Sequence, residues 1–491
     1  MMPASVRGTE IGFNMRTSDR FFRGIFRIVL MLTFAVAFVT PSAARKKAAQ
    51  EPERVKYVFF MISDGMGINQ AYGANLFNSA LGISGEPLNF TAFPVKSIVT
   101  THAANTLVTD SAAAGTALAT GTKTKMGSLG VDTEGQPLTG LTEMAKAAGY
   151  GTGVITSVGV NHATPGAFYA HVQNRNEYDK IARQLFESEV DFAAGGGFNT
   201  ERKKPYTGAD YAQAARDAGM GVYVGKSEFG NIDKSRRALL LGRLDYDELT
   251  LAIDRRSEDE TALADFTSAA IDYLYSNYPQ GFFLMVEGGD VDHAAHNNDV
   301  ATDFYEINDF AVSVDLVMDF CRQHPGEAVI VVTADHDTGG LALGAGKYEI
   351  HPERLAGQKD SKNVLTEKFD ALRDSGRDVS WEEVRDLLSE SLGLWSEVEV
   401  SEEQEARFRQ LYEDIFIRKE NDLEKNWYAT NSRLVAEAVD CLDRAAGFKY
   451  SFSSHSGAPV GLFVDGARAD EFKSCSDNTD IPKIICKIAN Y

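Results

Sequence analysis

Tyr57-Val58-Phe59-Phe60-Met61-Ile62-Ser63-Asp64-Gly65 reads as a buried strand, an apolar run that ends on a serine, an acid and a glycine. The pattern recurs. Residues 282–286 run into Glu287-Gly288-Gly289, and residues 328–333 into Ala334-Asp335-His336. Further strand candidates are 153–156, 238–241 and 460–464, with helical patterns at 141–148 and 303–321. Such alternation predicts an α/β fold with a mainly parallel central β-sheet flanked by helices on both faces. Open sheets of this kind bind ligands at the carboxyl ends of their strands, where the acids and histidines gather here.

Around this core the chain divides. Arg16, Arg20, Arg23 and Arg27 precede an uncharged apolar run at 28–39 and then Thr40-Pro41-Ser42-Ala43-Ala44. Residues 1–44 therefore read as a secretory signal cleaved after Ala44, with Met1 and Met15 both open as the start. An uncleaved anchor is the alternative, but the run is short for a bilayer. The expected product is exported, periplasmic or extracellular, with no membrane span in its mature part and at most a tether at its start. Residues 45–345 and 451–491 form the two parts of the core. Between them, 346–450 is rich in charge, with helical segments at 381–392 and 402–417, and reads as an acidic, largely helical insertion serving as a cap or an oligomer contact.

The 491 residues are 44% hydrophobic and 24% charged, which suits a globular protein with a large core, and the formal net charge is -21. That charge excludes nucleic acid as a specific partner, and an anionic membrane likewise, while leaving room for a small anion drawn by local cations. Four cysteines make an even set in an exported chain. Cys475 and Cys486 flank a loop-like stretch and are the preferred disulfide, whereas Cys321 and Cys441 fall on apolar helix stripes and read as buried free thiols.

Four short stretches carry chemistry. In Asp290-Val291-Asp292-His293-Ala294-Ala295-His296, Asp292 and His296 are four apart, so one helical turn puts carboxylate and imidazole on one face, a zinc-binding combination. Asp335 and His336 follow a strand, and His455 precedes one; together these supply enough donors for two metals. Thr109-Asp110-Ser111-Ala112-Ala113 opens an alanine-rich helix running to Thr120. A serine there is an ordinary N-cap, yet backbone N–H groups at the same place stabilise a phosphoryl group, and a metal would activate the hydroxyl.

These stretches, with Ile62-Ser63-Asp64-Gly65-Met66-Gly67, His162-Ala163-Thr164-Pro165, Asn174-Arg175-Asn176 and His455-Ser456-Gly457, occur in one order and together resemble the alkaline phosphatase family. The resemblance spans roughly residues 56–465 apart from the insertion. It implies a phosphate monoester hydrolase with two Zn2+ and one Mg2+, working through a phosphoserine on Ser111. One zinc would take Asp292, His296 and His455, the second Asp64, Asp335 and His336, and the magnesium Asp64, Thr164 and Glu287. Arg175 would grip two phosphate oxygens, and Asp110, His162 and His293 would stand around the ligands. The histidine pair is similar to that of the animal enzymes, where some bacterial members carry Asp and Lys, and it implies an alkaline optimum with dependence on added magnesium. The family also implies a homodimer acting on small phosphate monoesters. A sulfatase is excluded because Ser111-Ala112-Ala113-Ala114-Gly115 lacks a Cys- or Ser-x-Pro-x-Arg context. A phosphodiesterase and a non-catalytic binding protein are the competing readings.

Overall fold

The run at residues 57–63 forms β1 (Tyr57–Ser63), buried at all seven positions, as the opening reading requires. In this computed structural model the described residues are 54–82, 88–201, 206–346, 348–425 and 428–491. The signal at 1–44 lies outside them. The other strands of the sheet are β2 (Val95–Val99), β3 (Gly151–Thr156), β4 (Phe192–Gly195), β5 (Gly221–Val224), β6 (Ala238–Leu241), β7 (Phe282–Gly288), β8 (Ala328–Thr333) and β9 (Val460–Gly466). They line up as β2-β9-β8-β1-β7-β3-β4-β6-β5. From β8 to β5 every pairing is parallel. β9 runs antiparallel between β8 and β2.

Helices cover both faces because successive strand residues point opposite ways. Phe282 packs its ring 5.7 Å from Phe320 on the helix Val300–Gln323, while Phe283 next to it packs 6.5 Å from Tyr491 beyond the helix Asp480–Ala489. A strand buried on both faces needs no alternation of apolar and polar side chains, which explains the unbroken apolar runs of β1, β7 and β8.

Register positions the site. Ile62 is opposite Glu287 on one side and Thr333 on the other, and Thr156 is opposite Glu287 in turn. β8, β1, β7 and β3 therefore end level, and whatever follows them converges.

Three strands of this sheet were not anticipated from the sequence: β2, β4 and β5. β4 is Phe-Ala-Ala-Gly, with low intrinsic strand preference, and exists because β3 and β6 pair with it. Residues 402–417 are helical as expected, but the α-helix Glu402–Tyr412 gives way to a π-helical turn at Glu413–Ile417. The preferred disulfide is a correction: all four cysteines are free thiols. Cys486 lies within the helix Asp480–Ala489 with its sulfur 3.8 Å from the Met144 sulfur, so the intervening residues include the start of a helix rather than only a loop that returns to Cys475. Cys441 is buried as expected and Cys321 only half-buried, and burial pushes both thiols up to about 12. Among the described residues no helix is long and apolar enough to cross a membrane.

Candidate metal centre and active site

β1 delivers Asp64, β7 delivers Glu287, and β8 delivers Asp335 and His336, all fully or almost fully buried. Gly65 turns the chain after Asp64 at φ +75°, and a Cβ there would meet Asp292 Oδ1 at 2.8 Å, so the position excludes a side chain on two grounds. Asp292 and His296 sit on the short helix Asp290–His296 that follows β7. His455 reaches the same place because His455–Ser456 pairs antiparallel with Asp337–Thr338, the residues just after His336.

Three imidazoles aim the same way for a reason visible in their outer nitrogens. His296 Nδ1 lies 2.8 Å from the Ser453 carbonyl oxygen and His455 Nδ1 2.9 Å from that of Thr109. A carbonyl only accepts, so each Nδ1 carries a proton and each Nε2 is the atom turned inward. Those two Nε2 atoms are 3.0 Å apart, an arrangement that a cation between them would reconcile. His336 places Nδ1 3.2 Å from Thr338 Oγ1 and directs Nε2 toward Asp64 Oδ1 at 3.4 Å and Asp335 Oδ2 at 3.3 Å.

The carboxylates point to the same conclusion. Asp64 Oδ1, Glu287 Oε1, Asp292 Oδ2 and Asp335 Oδ2 are buried oxygens without a hydrogen bond. Burial and mutual repulsion hold Asp64 well above its usual range; burial, with Asp335 adding, pushes Glu287 up to about 8. Asp335 is pushed up to about 7, by burial and then by Asp292. Asp292 goes the other way: burial opposes its charge, but His296, His455 and His336 outweigh it and hold the carboxyl well below the usual range. Converging carboxylates destabilised in this way are sites for cations.

Donor atoms close enough to share an ion fall into groups: Asp292–His296–His455, Asp64–Asp335–His336, and Asp64–His162–Glu287. The first two are the expected triplets. In the third, His162 joins Asp64 and Glu287, and Thr164 donates to Asp64 Oδ2 at 3.2 Å. The donor sets fit divalent ions: imidazole with carboxylate for zinc, and an oxygen-rich set for magnesium.

Ser111 is the first residue of the helix Ser111–Thr120, fully buried, with Oγ 3.2 Å from His336 Nε2. Asp110 caps that helix by accepting from the Ala113 N–H at 3.1 Å, and its other oxygen accepts from Arg175 Nη1 at 3.2 Å and from the Gly127 N–H at 3.0 Å. Arg175 Nη2 lies 3.1 Å from His162 Nε2. Burial, and then Arg175, hold the His162 imidazole well below its usual range, so it is neutral and its Nε2 accepts from the guanidinium. Arg175 is thus held at two of its nitrogens, by Asp110 and His162.

His293 faces elsewhere, with Nδ1 2.9 Å from Glu248 Oε1 and 3.7 Å from Asp290 Oδ1. Burial opposes its charge, but Glu248 and Asp290 prevail and raise it to about 10. Its ring stacks on Tyr428 at 3.9 Å, and Tyr428 lies 5.1 Å from the His296 ring and 6.3 Å from that of His162. Glu248 and Tyr428 were not singled out in the sequence. Glu248 carries a usable signal, since it follows strand β6 in an acidic run, Asp245-Tyr246-Asp247-Glu248. Tyr428 carries none.

A parallel sheet whose strand ends bury groups of cation donors beside a helix N-terminus and a doubly anchored arginine defines a metal-dependent, phosphate-handling α/β enzyme. The alkaline phosphatase family model matches residues 55–491, and the chain belongs to that family. Alkaline phosphatase 4 of Bacillus subtilis (strain 168) is 29% identical over 463 residues, 91% of this chain and 91% of its own length. The repressible alkaline phosphatase of Saccharomyces cerevisiae is 31% identical over 388 residues, 70% of this chain and 66% of its own length. Among solved structures, the cold-active alkaline phosphatase from the psychrophile Shewanella sp. superposes with a TM-score of 0.73 at 29% identity, covering 88% of this chain and 99% of that one. The protein is a phosphate monoester hydrolase.

Proposed function

We propose that this chain hydrolyses phosphate monoesters through a covalent phosphoserine on Ser111, at a centre of two Zn2+ and one Mg2+. Asp292, His296 and His455 would hold one zinc, Asp64, Asp335 and His336 the other, and Asp64, Thr164 and Glu287 the magnesium with His162 alongside. Bound there, the cations supply charge stabilisation to the phosphoryl oxygens and to the departing oxygen. Ser111 Oγ attacks phosphorus in line, its bond to phosphorus forming as the ester P–O bond breaks and the alcohol leaves. Backbone N–H groups at the start of the helix Ser111–Thr120 face the transferred group, and Arg175 grips two of its oxygens in a fork suited to phosphate. Water then cleaves the Ser111 ester, phosphate departs, and the hydroxyl is restored.

One observation carries this reading. Ser111 Oγ stands 3.2 Å from His336 Nε2, at the edge of a group of inward-turned imidazole nitrogens and unbonded carboxylate oxygens. The test is release of p-nitrophenol from p-nitrophenyl phosphate at alkaline pH, beside Ser111→Ala, with and without chelator and restored zinc. Zinc-restorable activity that collapses in the variant is the expected result; a variant as active as the parent removes Ser111 from the mechanism.

We infer further that the enzyme is exported, that residues 346–450 are an insertion into the core, and that it works as a homodimer. The basic and apolar pattern before Ala44 supports the first, and mass spectrometry of the secreted product should find Arg45 at its start. Light scattering of the purified enzyme tests the last.

A further inference from the structure

The helix Asp290–His296 has two working faces. Asp292 and His296 point into the centre described above, while Asp290 and His293, three apart, share another face and meet Glu248. We infer that Glu248, Asp290 and His293 form a further divalent-cation site of zinc type, beyond the ions the phosphatase reaction uses.

The geometry suits such an ion. Ligand atoms about 2 Å from a tetrahedral zinc lie about 3.3 Å from one another. The distances from His293 Nδ1 to Glu248 Oε1, 2.9 Å, and to Asp290 Oδ1, 3.7 Å, bracket that value. Asp290 is 1% exposed, and its Oδ1 has no hydrogen bond. His293 is 7% exposed and neither ring nitrogen has one, its approach to Glu248 being close but off the direction of a hydrogen bond. Imidazole with two carboxylates is the mixed donor set zinc accepts, leaving a fourth position for water.

The frame is built in advance. Ser157 Oγ accepts from the Gly289 and Asp290 N–H groups at 3.0 and 3.2 Å, fixing the start of the helix. Leu249 donates its N–H to the Ser157 carbonyl at 2.9 Å, and the Glu248 backbone packs so tightly on Gly196 that a Cβ there would come within 2.4 Å of it. One serine thus ties both arms of the group together. The surroundings are acidic as well: Asp247 acts on His293, and Glu306 and Asp309 act on Asp290, with Arg255 paired to Asp309 at 2.7 Å. Tyr428 covers the imidazole face.

Metal-stripped protein reloaded with zinc and crystallised decides the matter, through anomalous difference maps collected on either side of the zinc absorption edge. Crystals whose Asp292–His296–His455 group shows a peak should show another between Glu248, Asp290 and His293. No peak there in such crystals overturns the site and leaves His293 as the protonated partner of Glu248. In solution, zinc content by mass spectrometry should fall by about one ion per chain in both Asp290→Asn and Glu248→Gln. An unchanged count in both folded variants also overturns it, and the wild-type crystals decide if a variant does not fold. None of these readouts depends on Ser111 being the nucleophile.

Discussion

The centre at the ends of β8, β1 and β7 and the helical stretch from Lys362 to Ala446 are both acidic, and their acids do opposite things. In the helices, Glu405 pairs with Arg409 one turn on at 2.9 Å, and Asp440 with Arg444 at 2.5 Å, at the exposed surface. Ser361, Ser380, Ser401 and Ser432 cap the four α-helices there, each side chain accepting from a backbone N–H in the first turn. Charges of this kind are answered within a turn of their own helix. In the centre, Asp64, Glu287, Asp292 and Asp335 come from three separate strand ends, and each keeps an oxygen without a hydrogen bond. Acid content alone therefore says little; the sequence distance over which a carboxylate is answered distinguishes a solvated face from a site.

The comparison predicts a steep gradient of effects. Chelation should abolish turnover, and the stripped protein should then melt at lower temperature as pH rises. Glu287 and Asp335 are pushed up to about 8 and about 7, so the metal-free fold keeps protons that the unfolded chain releases near its ordinary values. Below about pH 6.5 the buried His162, His336 and His455, held below their usual range, act in the opposite sense; above it the folded state binds more protons, and stability falls from about pH 6.5 to about pH 8. Thermal melts across that window check the sign; a flat or rising profile would mean the carboxylates are answered by something other than cations.

Asp292→Asn comes next, with an expected loss of about 10³-fold in kcat/KM and of bound zinc, since second and third ligands cannot compensate for a lost charge. Arg175→Ala should cost about 10- to 100-fold in kcat/KM, the range for charge-assisted hydrogen bonds to a bound oxyanion. Among the helices, Ser380→Ala removes a cap and should lower unfolding stability by about 1 kcal/mol without moving kcat. Smallest is Arg409→Ala, where denaturant unfolding should change by less than about 0.5 kcal/mol. If Arg409→Ala were to damage turnover as Arg175→Ala does, the contrast between the regions would fail.

What could be read in advance follows the same division. β1, β7 and β8 were legible because burial on both faces leaves an unbroken apolar run, and the acids after them because strand ends are where such sheets work. Asp292 and His296 were legible from helical spacing alone. β4 was not, being Phe-Ala-Ala-Gly and held by its neighbours' pairing rather than by its own preferences, and β5, though its Val-Tyr-Val favours a strand, is short and only partly buried beyond Gly221. The contact of Glu248 with His293 and that of Tyr428 with the same ring depend on how distant loops pack, which no local pattern encodes. The disulfide expectation failed because a short gap between cysteines looked like a loop, although the residues there begin a helix.

β9 completes the sheet by sliding between β8 and β2, and His455 rides just ahead of it. His296, whose Nε2 lies 3.0 Å from its own, precedes it by 159 residues. A chain made from its amino end therefore holds Asp292 and His296 long before His455 exists, and an ion arriving early finds two of the three proposed ligands. If those three residues hold an ion as proposed, that ion gains its third ligand only once the final strand has been seated.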